Sequence, residues 1–339
     1  MAAKPLLALL LLGCIWDHDT IRMEREVFPG VQEILAGKFV RHSDAYYEWR
    51  LRDRPNDSKD PAVLDDIAAA HEKLGRTDKA IEIMRASYAR DPERYETLAN
   101  LGTFLIHAGK LTEGLAFIER AIAVNPDAHF GREAIQAEVV RYVLARRAEE
   151  SEARSRDDFS NFEGNADRRS AELVRGLTGM MFFGRHDSPV LAECLGDVLR
   201  RRERRLSCRA YLLASYNAPD EQAAAAYREL ARGALSGQTV GYVIGNLSYK
   251  TVEFEGEEQR YKAELAEGRE FFAQIAADEK AWAEAGLDLD EQFAAKYYEV
   301  GRTEDVSLPI EWEPILWPVI FLLLTAAVIR SVRRSRQRA

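Results

Sequence analysis

Apolar residues recur every three or four positions along most of the chain, which is the spacing of an amphipathic α-helix. Ala, Leu, Arg and Glu dominate the composition, and all four are good helix formers. In the C-terminal half the pattern predicts helices over residues 221–235, 257–284 and 289–300. The sequence therefore predicts an all-α protein.

Two segments interrupt the helical pattern. Residues 149–170 lack apolar periodicity in their middle and are predicted to form a mobile connection. Residues 236–255 contain glycine and β-prone residues, which predicts a short hairpin or an irregular loop. Near the N-terminus, two helices are predicted between residues 21 and 49, broken at Pro29-Gly30, with Ser43 as a candidate N-cap.

A repeat of 34 residues links the window 61–94 to the window 95–128. The register is set by three pairs of residues: Gly75 and Gly109, Ala80 and Gly114, and Pro92 and Pro126. Small residues occupy the eighth and twentieth positions of each copy, where they let two antiparallel helices approach closely. Each window is therefore predicted to be a helical hairpin that leaves an apolar face for a neighbour to cover.

This period, with small residues at Ala68, Ala80, Gly102 and Gly114 and a proline near the end of each copy, resembles the tetratricopeptide repeat. The resemblance implies a helix-turn-helix solenoid. Residues 189–220 follow the same pattern out of register with the first two copies. A degenerate third copy and a generic helical hairpin explain this stretch equally well.

In the tetratricopeptide family, partners lie along the concave surface formed by the first helix of each unit. The resemblance thus implies binding of a protein or peptide by nine residues: Asp65, Ala69, Glu72, Lys73, Ala99, Asn100, Thr103, Ile106 and His107. These residues could equally face solvent or a neighbouring helix. The family's clamp for chaperone C-termini is not expected, because among its positions only Asn100 agrees.

The N-terminal segment 5–16 carries no charge and follows a single lysine. As a helix its twelve residues would span about 18 Å, too short for a hydrocarbon core of about 30 Å, so a signal-peptide region fits better. Its Leu-Leu-Gly-Cys sequence resembles the lipobox of bacterial lipoproteins, which implies lipidation of Cys14. The alternative is an unmodified Cys14 in an uncleaved apolar segment.

A second uncharged segment, residues 314–329, precedes a tail rich in arginine. With Arg330 reaching back to the interface, a transmembrane helix over 314–332 is predicted. The positive-inside rule places the tail 333–339 in the cytoplasm and the preceding domain on the other side of the bilayer. This predicts a bacterial cell-envelope protein whose repeat domain is extracytoplasmic; a cytosolic tail-anchored protein is the alternative.

The net charge of −9, despite the basic tail, argues against a nucleic-acid binder. The run 200–205 contains five arginines and is interpreted as a solvated face, with a site for an anionic partner as the alternative. Cys194 and Cys208 could form a disulfide, although two buried thiols fit their spacing better.

Catalytic motifs for nucleotide, hydrolase or zinc chemistry are missing from the sequence, so neither a cofactor nor an enzyme activity is expected. Asp17-His18-Asp19 is the nearest approach to a metal-ligand cluster, and a solvated linker is the preferred interpretation. The acidic pairs Asp65-Asp66 and Glu257-Glu258 are assigned to helix starts, where the helix dipole favours carboxylates.

These features predict seven regions. They are a signal or lipobox-like segment (1–14), an N-terminal helical cap (15–60), two repeat units (61–128), a degenerate helical region (129–300), a linker (301–313), the transmembrane helix (314–332) and the basic tail (333–339). The leading hypothesis is a membrane-anchored scaffold that binds proteins in the envelope. A cytosolic adaptor and an envelope enzyme with an unrecognised site are the competing hypotheses.

Overall fold

The computed structural model describes residues 15–18, 20–54, 58–149, 158–162, 165, 170–236, 239–240, 250–251 and 253–298. Cys14, most of the segment 149–170, the linker, the predicted transmembrane helix and the basic tail lie outside the described residues. The chain divides into two compact units, Met1–Arg302 and Thr303–Ala339, and all the described residues belong to the first. Within the described ranges, none of the helices combines the length and apolar composition that a membrane span requires.

The described part is built from α-helices, as the apolar pattern predicts. In chain order they are α1 (Thr20–Glu26), α2 (Val31–Ala36), α3 (Asp44–Asp53), α4 (Pro61–Lys73), α5 (Thr77–Tyr88), α6 (Tyr95–His107), α7 (Leu111–Val124), α8 (Arg132–Glu149), α9 (Ser170–Phe183), α10 (Pro189–Leu199), α11 (Arg204–Tyr216), α12 (Glu221–Leu235), α13 (Phe254–Glu284) and α14 (Leu289–Tyr297). Short 3-10 turns cover Ala128–Gly131 and Phe159–Asn161. A two-residue antiparallel ribbon pairs β1 (Thr239–Val240) with β2 (Lys250–Thr251), in the segment where a hairpin or loop is predicted.

The 34-residue register is confirmed in the helices of the two repeats. Helices α4 and α6 begin 34 positions apart, and so do α5 and α7. Between the helices of each hairpin, Gly75 and Gly109 adopt left-handed φ values of 72° and 78°. The backbone amide of each glycine donates to the carbonyl of the residue three positions earlier. The amide of the residue after each glycine donates to the carbonyl five positions before it. This is the backbone pattern that ends a helix at a left-handed residue.

Small residues bring the two helices of a hairpin together. A Cβ atom on Gly114 would lie 2.7 Å from the Gly102 carbonyl oxygen, so neither position has room for a larger side chain. The hairpin of α10 and α11 repeats this contact, because a Cβ on Gly196 would lie 2.8 Å from the Tyr211 ring. Ser207 Oγ also donates to the Gly196 carbonyl at 2.7 Å. Residues 189–220 thus keep the close hairpin approach of the first two copies.

Three local predictions are wrong in detail. The segment 21–49 holds parts of three helices, not two, because a non-helical stretch also separates α2 from α3. Ser43 precedes α3, but its side chain makes no capping hydrogen bond; its backbone amide donates to Glu279 of α13 at 2.7 Å. Asp65 and Asp66 lie in the second turn of α4, not at its start, and both are buried in ion pairs.

The N-terminal helices do more than cover one end of the repeats. Helix α3 packs against α4, as a cap would, but α2 contacts α9, α11 and α13. Val27, Ile34 and Leu35 are buried in the same apolar core as Ile106 of α6 and Leu212 of α11. The region 15–60 therefore lies between the repeats and the C-terminal helices.

Helices α2 and α13 are in close backbone contact. Tyr261 of α13 donates its hydroxyl to the Leu35 carbonyl at 2.7 Å. Gly268 lies two turns further along the same side of α13, where a Cβ atom would stand only 2.0 Å from the carbonyl oxygen of Ala36. Glycine is therefore required at position 268, because a backbone carbonyl cannot rotate away as a side chain can.

We predict that Gly268→Ala lowers the free energy of unfolding of the full chain by about 1–3 kcal/mol, the usual cost of overpacking a closed contact. Gly256→Ala is the matched control in the same helix, since a Cβ there meets no atom within 4 Å. That control is expected to be neutral or stabilising by up to ~1 kcal/mol. Urea unfolding followed by circular dichroism measures both; equal stability of the two variants would contradict the contact.

Candidate functional site

The side of α4 and α6 that carries Ala69, Ala99 and Asn100, here termed the groove face, holds a segment of the same chain. Residues Ile15–His18, termed the docked segment, lie against it. Residue Ile15 is only 3% exposed, whereas His18 is exposed at the rim. The face predicted to bind a partner is thus occupied by a short peptide from the N-terminal end of the protein.

Asn100 holds the docked segment by its backbone. Its Oδ1 accepts from the Trp16 amide at 2.7 Å, and its Nδ2 donates to the Trp16 carbonyl at 2.9 Å. Both backbone groups of one residue are therefore satisfied by one carboxamide, as neighbouring strands satisfy each other in a sheet. Bonds of this kind give affinity without reading the side chain of the bound peptide, so specificity must come from the adjoining pockets.

The first two residues of the docked segment fill apolar surfaces on either side of Asn100. Ile15 packs into a cluster that includes Ala69 and Leu105. Trp16 packs edge-on against Tyr95, with ring centroids 5.9 Å apart and an interplanar angle of 87°. The small side chains at Ala69 and Ala99 leave room for this close approach, because any longer residue would occupy the same space.

His18 connects the docked segment to helices on both sides of the groove face. Its backbone amide donates to Asp66 Oδ1 at 3.0 Å, and its Nε2 accepts from Arg50 Nη2 at 3.1 Å. The same ring nitrogen lies 3.7 Å from Asp290 of α14. His18 is exposed, as the predicted solvated linker requires, but its bonds to α3 and α4 hold it in place. In the part of the chain that the structure describes, no group of His, Cys, Asp or Glu side chains is arranged to hold a metal.

Most of the other predicted groove residues make contacts with neighbouring helices. Arg94 binds the Asp65 carboxylate with two N–H groups, and burial raises the pKa of Asp65 to about 6 although Arg94 opposes the shift. His107 Nδ1 and Glu72 Oε1 are 2.6 Å apart, joining α6 to α4. These pairs hold the helices of the groove face in register.

Lys73, Thr103 and Ile106 also contact other helices. The Lys73 ammonium donates to the Phe183 carbonyl at the end of α9, and burial lowers the pKa of Lys73 to about 8 while the charge of Asp17 opposes the shift. Thr103 accepts from Gln136 of α8 at 3.1 Å, and Ile106 lies against Gly114. The structure thus places Ala69, Ala99 and Asn100 against the docked segment. It also places Lys73 near Asp17, the acidic residue of that segment. A role in partner binding for the full set stays a prediction.

Sequence reasoning missed the docked segment itself. Ile15 and Trp16 end an uncharged run, and that run predicts a signal-peptide region. Tyr95 and Arg50 were also missed, because each is an ordinary helix residue until the segment lies beside it. A sequence signal for the segment is Trp16, a large aromatic residue that lies just past the lipobox-like motif.

The other candidate residues are used within the fold. Cys194 and Cys208 are both buried and no disulfide joins them, and burial raises the pKa of Cys208 to about 12. In the arginine run, Arg205 binds Glu257 at 3.1 Å and Arg204 donates to the Ser236 carbonyl at 2.9 Å. Both arginines are exposed, as the solvated-face interpretation predicts.

The family model of the tetratricopeptide repeat matches residues 72–134. This range begins at the end of α4, contains α5, α6 and α7, and reaches the first residues of α8. Comparison with curated proteins and with solved structures found no match. The match supports a repeat structure for the stretch that contains Asn100. It also supports the general role in protein–protein interaction that such repeats have.

We predict that Asn100→Asp loosens the docked segment. One carboxylate oxygen can still accept from the Trp16 amide, but the other would face the Trp16 carbonyl oxygen in place of a donor. Losing such a buried bond costs about 1–3 kcal/mol, which corresponds to roughly 5- to 150-fold faster amide exchange over residues 15–18.

Asn125→Asp is the matched control, because Asn125 is exposed at the end of α7. Hydrogen–deuterium exchange with mass spectrometry measures the segment in both variants. Unchanged exchange in Asn100→Asp would show that the side chain does not hold Trp16.

Proposed function

We propose that this protein is a non-catalytic scaffold that binds an extended polypeptide on the groove face of α4 and α6. The observation that carries the proposal is the double hydrogen bond between Asn100 and the Trp16 backbone. A carboxamide that satisfies both the N–H and the C=O of one residue is suited to any extended peptide. The repeat match over residues 72–134 supports the same general role.

The polar residues of the groove face support binding rather than catalysis. A general acid or base must come within hydrogen-bonding distance of a substrate atom. The side chain of Asp65 is 2% exposed and both its oxygens are bound to Arg94. The side chains of Glu72 and His107 are 4% and 2% exposed and lie against each other. These groups are placed to position helices, and neither a cofactor nor a metal is part of the proposal.

The binding proposal is tested by selecting peptides from a random display library on the purified full-length chain. With Trp16→Ala as the parent of every variant compared, so that the docked segment competes less, enriched peptides are expected to bind Asn100→Asp at least about 10-fold more weakly, since the donor to the peptide carbonyl is lost. Their affinity for the control Asn125→Asp should be unchanged. If selected peptides bind all three proteins equally, the groove face is not the site.

We further propose that the scaffold is anchored in a bacterial envelope membrane, with the repeat domain outside the cytoplasm. This rests on sequence alone: the uncharged segment 314–332, the arginine-rich tail 333–339 and the lipobox-like sequence ending at Cys14. The bilayer is then a second partner, bound through the C-terminal helix. A groove face held close to a membrane would present proteins to the envelope rather than to the cytoplasm.

Protease treatment of spheroplasts tests this placement. The repeat domain is expected to be digested without lysis, leaving a protected C-terminal fragment. Mass analysis should find a lipid on Cys14 that Cys14→Ser abolishes and the control Cys194→Ser retains. A domain that resists protease until the membrane is broken would instead indicate a cytosolic, tail-anchored protein.

A further inference from the structure

The docked segment reaches the groove face over a long separation along the chain. Trp16 and Asn100 are 84 positions apart, so their contact is tertiary and not a consequence of local chain geometry. The segment is not part of any helix, and α1 begins two residues after His18. It is therefore a short peptide that precedes α1 in the chain and is held by the face that would receive a partner.

We propose that the docked segment is an internal occupant of the partner site, and that the partner is an extended peptide of the same pattern: aliphatic, aromatic, any residue, histidine. This inference rests on the proposed function and specifies its partner. The pattern follows from what each of the four residues contacts.

The first two positions are defined by shape and apolarity. Ile15 is 3% exposed and lies among aliphatic and small side chains, including Ala69 and Leu105. A polar residue there would be buried without a partner, which is costly. Trp16 meets the Tyr95 ring edge-on, a geometry that favours an aromatic residue over an aliphatic one.

The last two positions are defined by charge and hydrogen bonding. Asp17 is half-buried, and its charge acts on Lys73, so an acidic residue is favoured there without being required. At the fourth position the imidazole accepts from Arg50 and lies 3.5 Å from Asp66 through its other nitrogen. A side chain with both an acceptor and a donor nitrogen satisfies both neighbours, and histidine has this combination.

The occupant is placed so that it can be displaced. Trp16 is half-buried and His18 is exposed, so an incoming peptide can begin to replace the segment from its His18 end. A tethered segment competes at an effective concentration of about millimolar. The apparent dissociation constant for a partner rises in inverse proportion to the fraction of molecules whose groove is open. The intact chain should thus bind such a partner more weakly than a chain whose segment has been loosened.

The experiment uses a fluorescein-labelled peptide containing Ile-Trp-Asp-His between glycines, with fluorescence anisotropy on the full-length chain. Trp16→Ala, which weakens the internal occupant and leaves the groove face intact, is expected to bind the peptide about 10-fold or more tightly than the wild type. The double variant Trp16→Ala, Asn100→Asp should lose this gain. A peptide of reversed sequence is the control for composition, and Ile15→Ser is a second loosening variant should Trp16→Ala fold poorly.

The outcomes separate this inference from the proposed function. Equal affinity for wild type and both loosened variants would overturn the internal competition. Failure of the peptide to bind any variant, while display-selected peptides still bind through Asn100, would overturn the pattern and leave the proposed function standing. A dimer in sedimentation velocity that Trp16→Ala abolishes would show that the segment serves a second copy of the chain instead.

Discussion

A helical hairpin with small residues at its crossing leaves one broad apolar face uncovered, and the rest of this structure depends on how that face is buried. In the second repeat, Gly102 and Gly114 bring α6 and α7 so close that no side chain separates them. The large apolar residues of α6 are then left to face outward from the hairpin. Stacking of neighbouring hairpins covers part of this surface. The chain's own N-terminal residues cover much of the remainder.

The N-terminal helices and the docked segment bury apolar surface in different ways. Leu35 of α2 and Val27, the residue after α1, lie in the main apolar core, and Tyr261 and Gly268 hold α13 against α2. The docked segment instead contributes one buried residue, one ring contact and backbone hydrogen bonds at Trp16 and His18. Interactions of this size are typical of a short bound peptide, whereas the α2 contacts are typical of a permanent core. The N-terminal region thus contains a part that belongs to the permanent core, α2, and a part held as a bound peptide would be, the docked segment.

Local patterns predicted the fold better than the site. The glycines at 75 and 109 each end one helix, the 34-residue register repeats one hairpin pattern in the next, and helix α12 has the bounds that the apolar pattern predicts. Such features depend on residues a few positions apart, which a sequence displays directly. Ser43 was identified as the residue before α3, but its interaction partner, Glu279, lies far along the chain and could not be inferred.

The candidate site was predicted only in part, for the same reason. Asn100 was identified from the resemblance to the repeat family, and the structure gives it a peptide backbone as its partner. The occupant was not identified, because Ile15 and Trp16 have the same apolar character whether they belong to a targeting signal or fill a groove. Asp65 likewise gave no sign of its ion pair with Arg94, which depends on the packing of α4 against the loop before α6.

The central claim is that the docked segment lies on the groove face in solution. Nuclear Overhauser spectroscopy on the full-length chain, with selectively protonated Trp and Tyr in a deuterated background, tests it most directly. The account predicts cross-peaks between the Trp16 indole and the Tyr95 ring, assigned by their loss in Tyr95→Leu. Trp16 signals at random-coil shifts with no contact to Tyr95 would contradict it.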